Sequence, residues 1–278
     1  METLPDGTRI GRTALRVSDV EAELEFYRDV VGLEVLNRTA SRVTLGVDDA
    51  SRLVLEDDGN ESRRGREAAG LYHVAFRMPT RAALGDALGR IRDRWHLEGA
   101  SDHRVSEALY LTDPDGNGVE IYRDYPREEW PRTDDGRIRM ATDPLDLEAL
   151  EAAATGESSA LPGTTIGHVH LEVTSLEAFE TFYVETLGFD VQATVPGATF
   201  VSAGGYHHHI GANTWNRRTN PADGRGLSWF ELVVPEGRAV EALRERLRER
   251  ERPLREADDG FVVVDPDGID VRIRPGSP

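Results

Sequence analysis

The chain contains no cysteine, which excludes disulfides, thiolate nucleophiles, iron–sulfur clusters and cysteine-bound zinc, so a metal here must be held by His, Asp or Glu. It contains no lysine either. All 33 basic residues are arginine, against 51 Asp and Glu, and the resulting formal charge of −18 repels phosphate backbones and anionic membranes. Neither nucleic acid nor a membrane is expected as a partner. Long apolar runs are also missing. Stretches such as Phe261 to Val264 fall far short of the roughly 20 residues a membrane span needs, and Met1 to Gly11 lacks the basic-then-apolar pattern of an export signal. A cytoplasmic protein is expected. Acidity joined to an all-arginine base set points to a halophilic setting, in which salt screens self-repulsion, with a GC-rich genome and an acidic surface as the alternative. What remains is ample for folding: 278 residues, 38% hydrophobic, give one large domain or two of roughly 140 residues.

Internal repetition settles the architecture. Ile10-Gly11-Arg12-Thr13-Ala14-Leu15-Arg16-Val17 aligns without gaps on Ile166-Gly167-His168-Val169-His170-Leu171-Glu172-Val173, and Phe26-Tyr27, Gly32 and Val35 recur as Phe182-Tyr183, Gly188 and Val191. A second pair begins with Gly70-Leu71 against Gly226-Leu227. It ends with Asp113-Pro114-Asp115-Gly116 against Asp265-Pro266-Asp267-Gly268. The two halves are duplicates.

Each half divides again. An alternating strand over Ala14 to Val17 leads to an amphipathic helix from about Val20 to Val31, ended by Gly32, and then to strands near Leu33 to Asn37, Arg42 to Gly46 and Arg52 to Glu56. After Tyr72 the order recurs, with a helix from about Arg81 to Trp95 and strands near Arg104, Ala108 to Thr112 and Gly118 to Arg123. The unit is βαβββ, four times over, and the fold class is α+β. Between the halves, Asp124 to Gly163 reads as a linker, with one helix opened by Asp143-Pro144 and running from Leu145 to Ala154.

Openings like Ile166-Gly167-His168-Val169-His170-Leu171 and endings like Asp113-Pro114-Asp115-Gly116-Asn117-Gly118-Val119-Glu120, on four βαβββ modules, resemble the vicinal oxygen chelate superfamily of glyoxalases, bleomycin resistance proteins and extradiol dioxygenases. Tyr206-His207-His208-His209-Ile210-Gly211 and Ser106-Glu107-Ala108-Leu109-Tyr110-Leu111 are similar, more narrowly, to bacterial catechol 2,3-dioxygenase-type proteins. The resemblance implies two glyoxalase/extradiol dioxygenase-like domains. These are 8–124 (modules 9–57 and 70–124) and 164–275 (modules 165–213 and 226–274), joined by the linker 125–163 with its short helix.

The family holds its metal in a cup between two paired modules, with one His from the first strand of one module and a His and a Glu from the other. Here the first-strand positions read Arg12, His73, His168 and Trp229, and the carboxylate positions read Glu120 and Arg272. Neither half is complete. Arg12, Trp229 and Arg272 offer no ligand, and two guanidinium charges repel a cation. His73, Glu120 and His168 together make one full set, so the second and third modules are expected to share the metal, within one chain or across a subunit contact. This departs from the usual extradiol arrangement, in which the second half supplies all three.

The resemblance also implies roles for His208 as acid/base, on a later strand of module three, and for Tyr110, ten residues before Glu120. His103 is a further candidate for touching substrate. Strand alternation predicts that His208 points away from His207 and His209. The implied reaction is extradiol (meta-cleaving) ring opening of a small aromatic diol by O2, as in aromatic degradation, at a 2-His-1-Glu non-haem Fe(II) site, with Mn(II) as the alternative metal. A homo-oligomer is expected. Two readings compete with this one: a glyoxalase-like metal-dependent isomerase or lyase, and a metal-free small-molecule binding protein of the same fold. Loops such as Asp57 to Ala69 and Thr214 to Arg225 set the pocket shape and carry no readable pattern.

Overall fold

A computed structural model describes residues 3–57, 59 and 62–276. Met1 and Glu2 of the segment read for an export signal lie outside that range, as do Asp58, Asn60 and Glu61 of the loop after Asp57. In the first module, β1 (Arg9–Val17) leads to α1 (Val20–Phe26), followed by β2 (Glu34–Arg38), β3 (Arg42–Val47) and β4 (Ala50–Asp57). The second comprises β5 (Gly70–Arg77), α2 (Arg81–Arg94), β6 (Gly99–Asp102), β7 (Ser106–Thr112) and β8 (Gly118–Asp124). The connecting segment holds β9 (Asp143–Pro144) and α3 (Leu147–Glu151). The third module runs β10 (Thr165–Glu172), α4 (Leu176–Glu180), β11 (Asp190–Val195), β12 (Ala198–Ser202) and β13 (Ile210–Asn213). The fourth runs β14 (Gly226–Val234), α5 (Gly237–Glu249), β15 (Leu254–Ala257), β16 (Gly260–Val264) and β17 (Asp270–Pro275).

These strands form two curled mixed sheets. One has the order β15-β16-β17-β14-β1-β4-β3-β2, the other β11-β12-β13-β10-β5-β8-β7-β6-β9. Modules four and one therefore share a sheet, as do modules three and two. Among the described residues, two compact units take in 3–13, 62–72 and 168–276, and 14–57, 59 and 73–167. The first is cored by Phe179, Phe182, Tyr183, Phe230 and Phe261, the second by Leu15, Tyr27, Leu45, Phe76 and Tyr122, all fully buried. No helix among the described residues is long and apolar enough to cross a membrane.

The duplicated motifs have a physical explanation. Asp19 caps α1 by accepting from the Glu21 and Ala22 N–H groups. The helix then widens into a π-helical turn over Tyr27–Val31, which stops at left-handed Gly32. Module three repeats this with Ser175, a π-turn over Thr181–Leu187 and Gly188. Each π-turn carries a buried tyrosine aimed at the Asp-Pro-Asp-Gly turn of the following module. Tyr27 donates to Asp113 at 3.0 Å, and Tyr183 to Asp265 at 3.0 Å. The second aspartate of each turn receives a hydroxyl residue near the end of the preceding first strand, Ser18 for Asp115 and Thr174 for Asp267. The turn motif thus fastens one module to the next, which is why it recurs only once per pair.

Two sequence expectations are corrected. Arg104 is not on a strand: β6 ends at Asp102, whose carboxylate accepts the Arg104 N–H and stabilises a turn with Arg104 at φ 64°. The connecting helix is not opened by Asp143-Pro144, which instead form β9 and pair antiparallel with Ser101 and Asp102. Proline is tolerated there because β9 is the sheet edge. Asp146 caps the helix, accepting from Ala149 N–H, and the helix is only five residues long. The segment is also tied down, with Asp86 of α2 accepting from Thr155 and Gly156.

Candidate metal centre

Strand β5 runs parallel to β8 with Ala75 opposite Glu120, so His73, two residues earlier, projects from the same face as the carboxylate. His73 Nε2 lies 3.0 Å from Glu120 Oε2. His73 is 7% exposed, Glu120 3% and His168, on β10, 1%. One ligand atom from each of the three falls within 4.8 Å of the others, and this is the one such group of three among the described residues. The donor chemistry fits a divalent first-row metal: two imidazoles and one carboxylate, with no thiolate that would favour a softer ion. The His73–Glu120 spacing fits as well, because two ligands each about 2.1 Å from one cation and roughly at right angles lie about 3 Å apart.

Tyr110 sits opposite Glu120 across the β7–β8 ladder, its ring centroid 5.9 Å from that of His73. Its hydroxyl is 2.6 Å from His103 Nε2, while His103 Nδ1 is 2.6 Å from the Ala141 carbonyl. A carbonyl cannot donate, so Nδ1 carries the proton. In the neutral ring, Nε2 then accepts from the Tyr110 hydroxyl. Sequence reading missed Tyr122, which the same alternation places two residues beyond Glu120. A Cβ on Gly167 would overlap the Tyr122 oxygen, so glycine in the Ile166-Gly167-His168 motif is what lets that tyrosine reach the strand carrying His168.

The histidine run departs from expectation. His207, His208 and His209 lie in the connection before β13, not on a strand, because Gly204 and Gly205 both take left-handed backbone and break the chain direction. Alternation therefore does not apply. His207 and His208 turn together, Nδ1 to Nδ1 at 2.8 Å, and both approach His168, with ring centroids 4.0 Å away for His208 and 6.0 Å for His207. His209 turns elsewhere and accepts from the Ala203 N–H at 3.2 Å. The Gly-Gly pair before the run was the available signal.

At the matching positions of the other sheet there is an ion pair and an arginine–tryptophan stack. Arg12 donates Nε (2.9 Å), Nη2 and its backbone N–H (3.0 Å) to Glu231, and Arg272 stacks over Trp229 at 3.6 Å. Burial pushes the Glu231 carboxyl up, but the Arg12 hydrogen bonds and the Arg12 and Arg274 charges outweigh it and hold it below the ordinary carboxylate value. The expected ligand loss in modules one and four is thus accompanied by a guanidinium held on a carboxylate.

Against known proteins, the model for the Glyoxalase/Bleomycin resistance protein/Dioxygenase superfamily matches residues 9–121 and 165–273. A catechol-2,3-dioxygenase from Bacillus subtilis (strain 168) is 39% identical over 276 residues, covering 96% of each chain. A biphenyl-2,3-diol 1,2-dioxygenase 3 from Rhodococcus globerulus is 30% identical over 120 residues, covering 42% of this chain and 63% of its own. The crystal structure of a protein from Bacillus subtilis subsp. subtilis str. 168 has the same fold, with a TM-score of 0.70 at 11% identity over 100% of this chain and 87% of that one.

Proposed function

The chain belongs to the Glyoxalase/Bleomycin resistance protein/Dioxygenase superfamily, and from that premise we propose that it is an extradiol dioxygenase opening the ring of a catechol with O2 at a 2-His-1-Glu iron(II) site. The convergence of His73, Glu120 and His168 carries this reading. A relative 39% identical over nearly the whole chain, itself a catechol-2,3-dioxygenase, supports it.

His73, Glu120 and His168 would hold the metal and leave one side open to substrate. When bound, iron(II) would supply a Lewis-acidic, redox-active centre that lowers a diol hydroxyl's pKa and brings diol and dioxygen together. The chain's own groups handle protons. His208, packed against His168, takes the proton of a diol hydroxyl and returns it later, and its link to His207 orients the ring. Tyr110 would turn its one hydroxyl proton from His103 Nε2 to developing oxyanion charge once the diol is in place. His103 is a positioning residue: anchored on Ala141, it holds the Tyr110 hydroxyl until then.

The test is anaerobic loading with iron(II), then catechol and air, recording oxygen uptake and the yellow ring-fission product. Replacing His73, Glu120 or His168 by Ala should abolish both and also lower the iron retained per chain. An iron-loaded protein that consumes no oxygen with any catechol refutes the reading.

A further inference from the structure

Of the three glutamates on α1, Glu21 and Glu25 are exposed, but Glu23 is fully buried, at 0%. The matching position of module three is Phe179, which packs on Tyr183 with ring centroids 4.6 Å apart. A carboxyl thus stands in a core site that the internal duplicate gives to an aromatic ring, where an ion is costly. Its partners show which form it takes. Oε1 accepts the Asp115 N–H at 2.8 Å, whereas Oε2 meets no donor. The group the side chain bonds is the Asp113 carboxyl. Asp113, 3% exposed, already receives three donors: the Asn117 N–H at 2.7 Å, the Asn117 side-chain amide at 2.9 Å and the Tyr27 hydroxyl at 3.0 Å. Two ionised carboxylates only accept, so a bond between them requires a proton. Burial raises the Asp113 carboxyl, but its donors act against that and favour its charged form. The proton therefore sits on Glu23 Oε2, and Oε1 is the carbonyl that accepts from Asp115.

The surroundings hold the proton in place. Burial, followed by the Asp113 charge, pushes the Glu23 carboxyl up to about 10, and the other charge that acts on it, Asp115, is negative as well. Tyr27 is kept a neutral hydroxyl by its own burial. On the helix itself, Asp19 is engaged in the cap and Glu21 pairs with Arg38. The strands against α1 are β3 and β4. Their Val43, Leu45, Leu53 and Leu55 share one buried face, Arg42, Arg52 and Glu56 alternate to the other, and Asp57 is exposed at the end of β4. The Asp113–Gly116 turn joins β7, which carries Tyr110, to β8, which carries Glu120. One proton thus ties α1 to the turn from which β8 starts.

We propose that Glu23 is a neutral carboxylic acid at physiological pH and that its proton closes a latch between α1 and the Asp113–Gly116 turn, an alkali-sensitive device that module three, with Phe179, lacks. The inference does not rest on the extradiol reading. A raised folded-state value means that the contribution of Glu23 is full below 4.5 and is lost as pH rises toward about 10. The chain suits the measurement, because it has no lysine and no cysteine to titrate in alkali. The experiment has two arms, both on the full chain. Infrared spectroscopy at about pH 8.5 looks for the C=O stretch of a protonated carboxyl in the unaltered protein and in Glu23→Gln, and urea unfolding from about pH 6 to 9 compares their folding constants. The unaltered protein should show the band and Glu23→Gln should lack it, because an amide donates to Asp113 without titrating. The folding constant of the unaltered protein relative to Glu23→Gln should fall by up to about tenfold per pH unit, the slope of one proton held by the folded chain alone. Glu23→Met, which also carries no titrating group, gives the same comparison if the amide variant does not fold. A folded unaltered protein without a carboxylic-acid band at about pH 8.5, or a ratio of folding constants that stays flat with pH, overturns the proposal.

Discussion

Replacing Arg12 by alanine should destabilise the fold more than any ordinary surface change, because it leaves a buried carboxylate without its main partner. Glu231 is 1% exposed, and Arg12 supplies two side-chain hydrogen bonds to it, while Arg274 Nε stands 3.3 Å away. Breaking one side of a buried ion pair costs about 3–5 kcal/mol. The Arg12 side chain is 35% exposed and Arg274 remains, so the lower end applies, about 3 kcal/mol. For a chain of this size that lowers Tm by about 6–12 °C. The double variant Arg12→Leu/Glu231→Leu should recover most of the loss, because no buried carboxylate is then stranded and Arg274 keeps Asp259 at 3.6 Å. Acid dependence should change sign. In the unaltered protein the folded-state pKa of Glu231 is lowered, so its contribution is full above 4.5 and fades as pH falls through the lowered value. In Arg12→Ala, burial dominates, and lowering the pH should instead restore stability by protonating Glu231. Scanning calorimetry from about pH 2 to 8 reads both effects, because the loss in the unaltered protein begins only below the ordinary carboxylate value. A Tm shift under about 2 °C, or a double variant no more stable than the single one, would refute the argument.

Two further perturbations test how the duplicated motifs act. Gly167→Ala should lower Tm by several degrees, because its Cβ would overlap the Tyr122 oxygen, and adding Tyr122→Phe should recover part of the loss. Equal Tm values for Gly167→Ala and the unaltered protein would dismiss that contact. Burial pushes the Asp265 carboxyl up to about 7. A raised folded-state value means its contribution is full below 3.8 and is lost as pH rises through 7, an effect of up to about 4 kcal/mol. The Tm difference between Asp265→Asn and the unaltered protein should therefore move in the variant's favour between pH 4 and pH 8, and a difference constant with pH would count against it.

Much of this protein was legible in its residues. Local alternation, capping residues and glycine stops mark the strands and helices, because those patterns depend on neighbours a few positions away. Repetition then transferred the same reading from one half to the other, at an offset of 156 that falls to 152 by the last turn. The gathering of His73, Glu120 and His168 followed from matched positions, since duplicates that fold alike put equivalent residues at equivalent places.

What tertiary structure alone decided is whatever depends on partners distant in the chain. Periodicity says that a strand has two faces, but not which strand lies beside it; the split ligand set pointed to modules two and three, and the strand order sets β10 beside β5 within one chain and β14 beside β1. Alternation oriented the His207–His209 run wrongly because two left-handed glycines had already ended the strand. Asp143-Pro144 looked like a helix start because helix-opening and edge-strand prolines both lack a needed N–H, and only the β6 neighbour distinguishes them. The His103–Tyr110 bond and the Glu231 ion pair are likewise side chains meeting through space, where distance and burial, not spacing along the chain, set the energy.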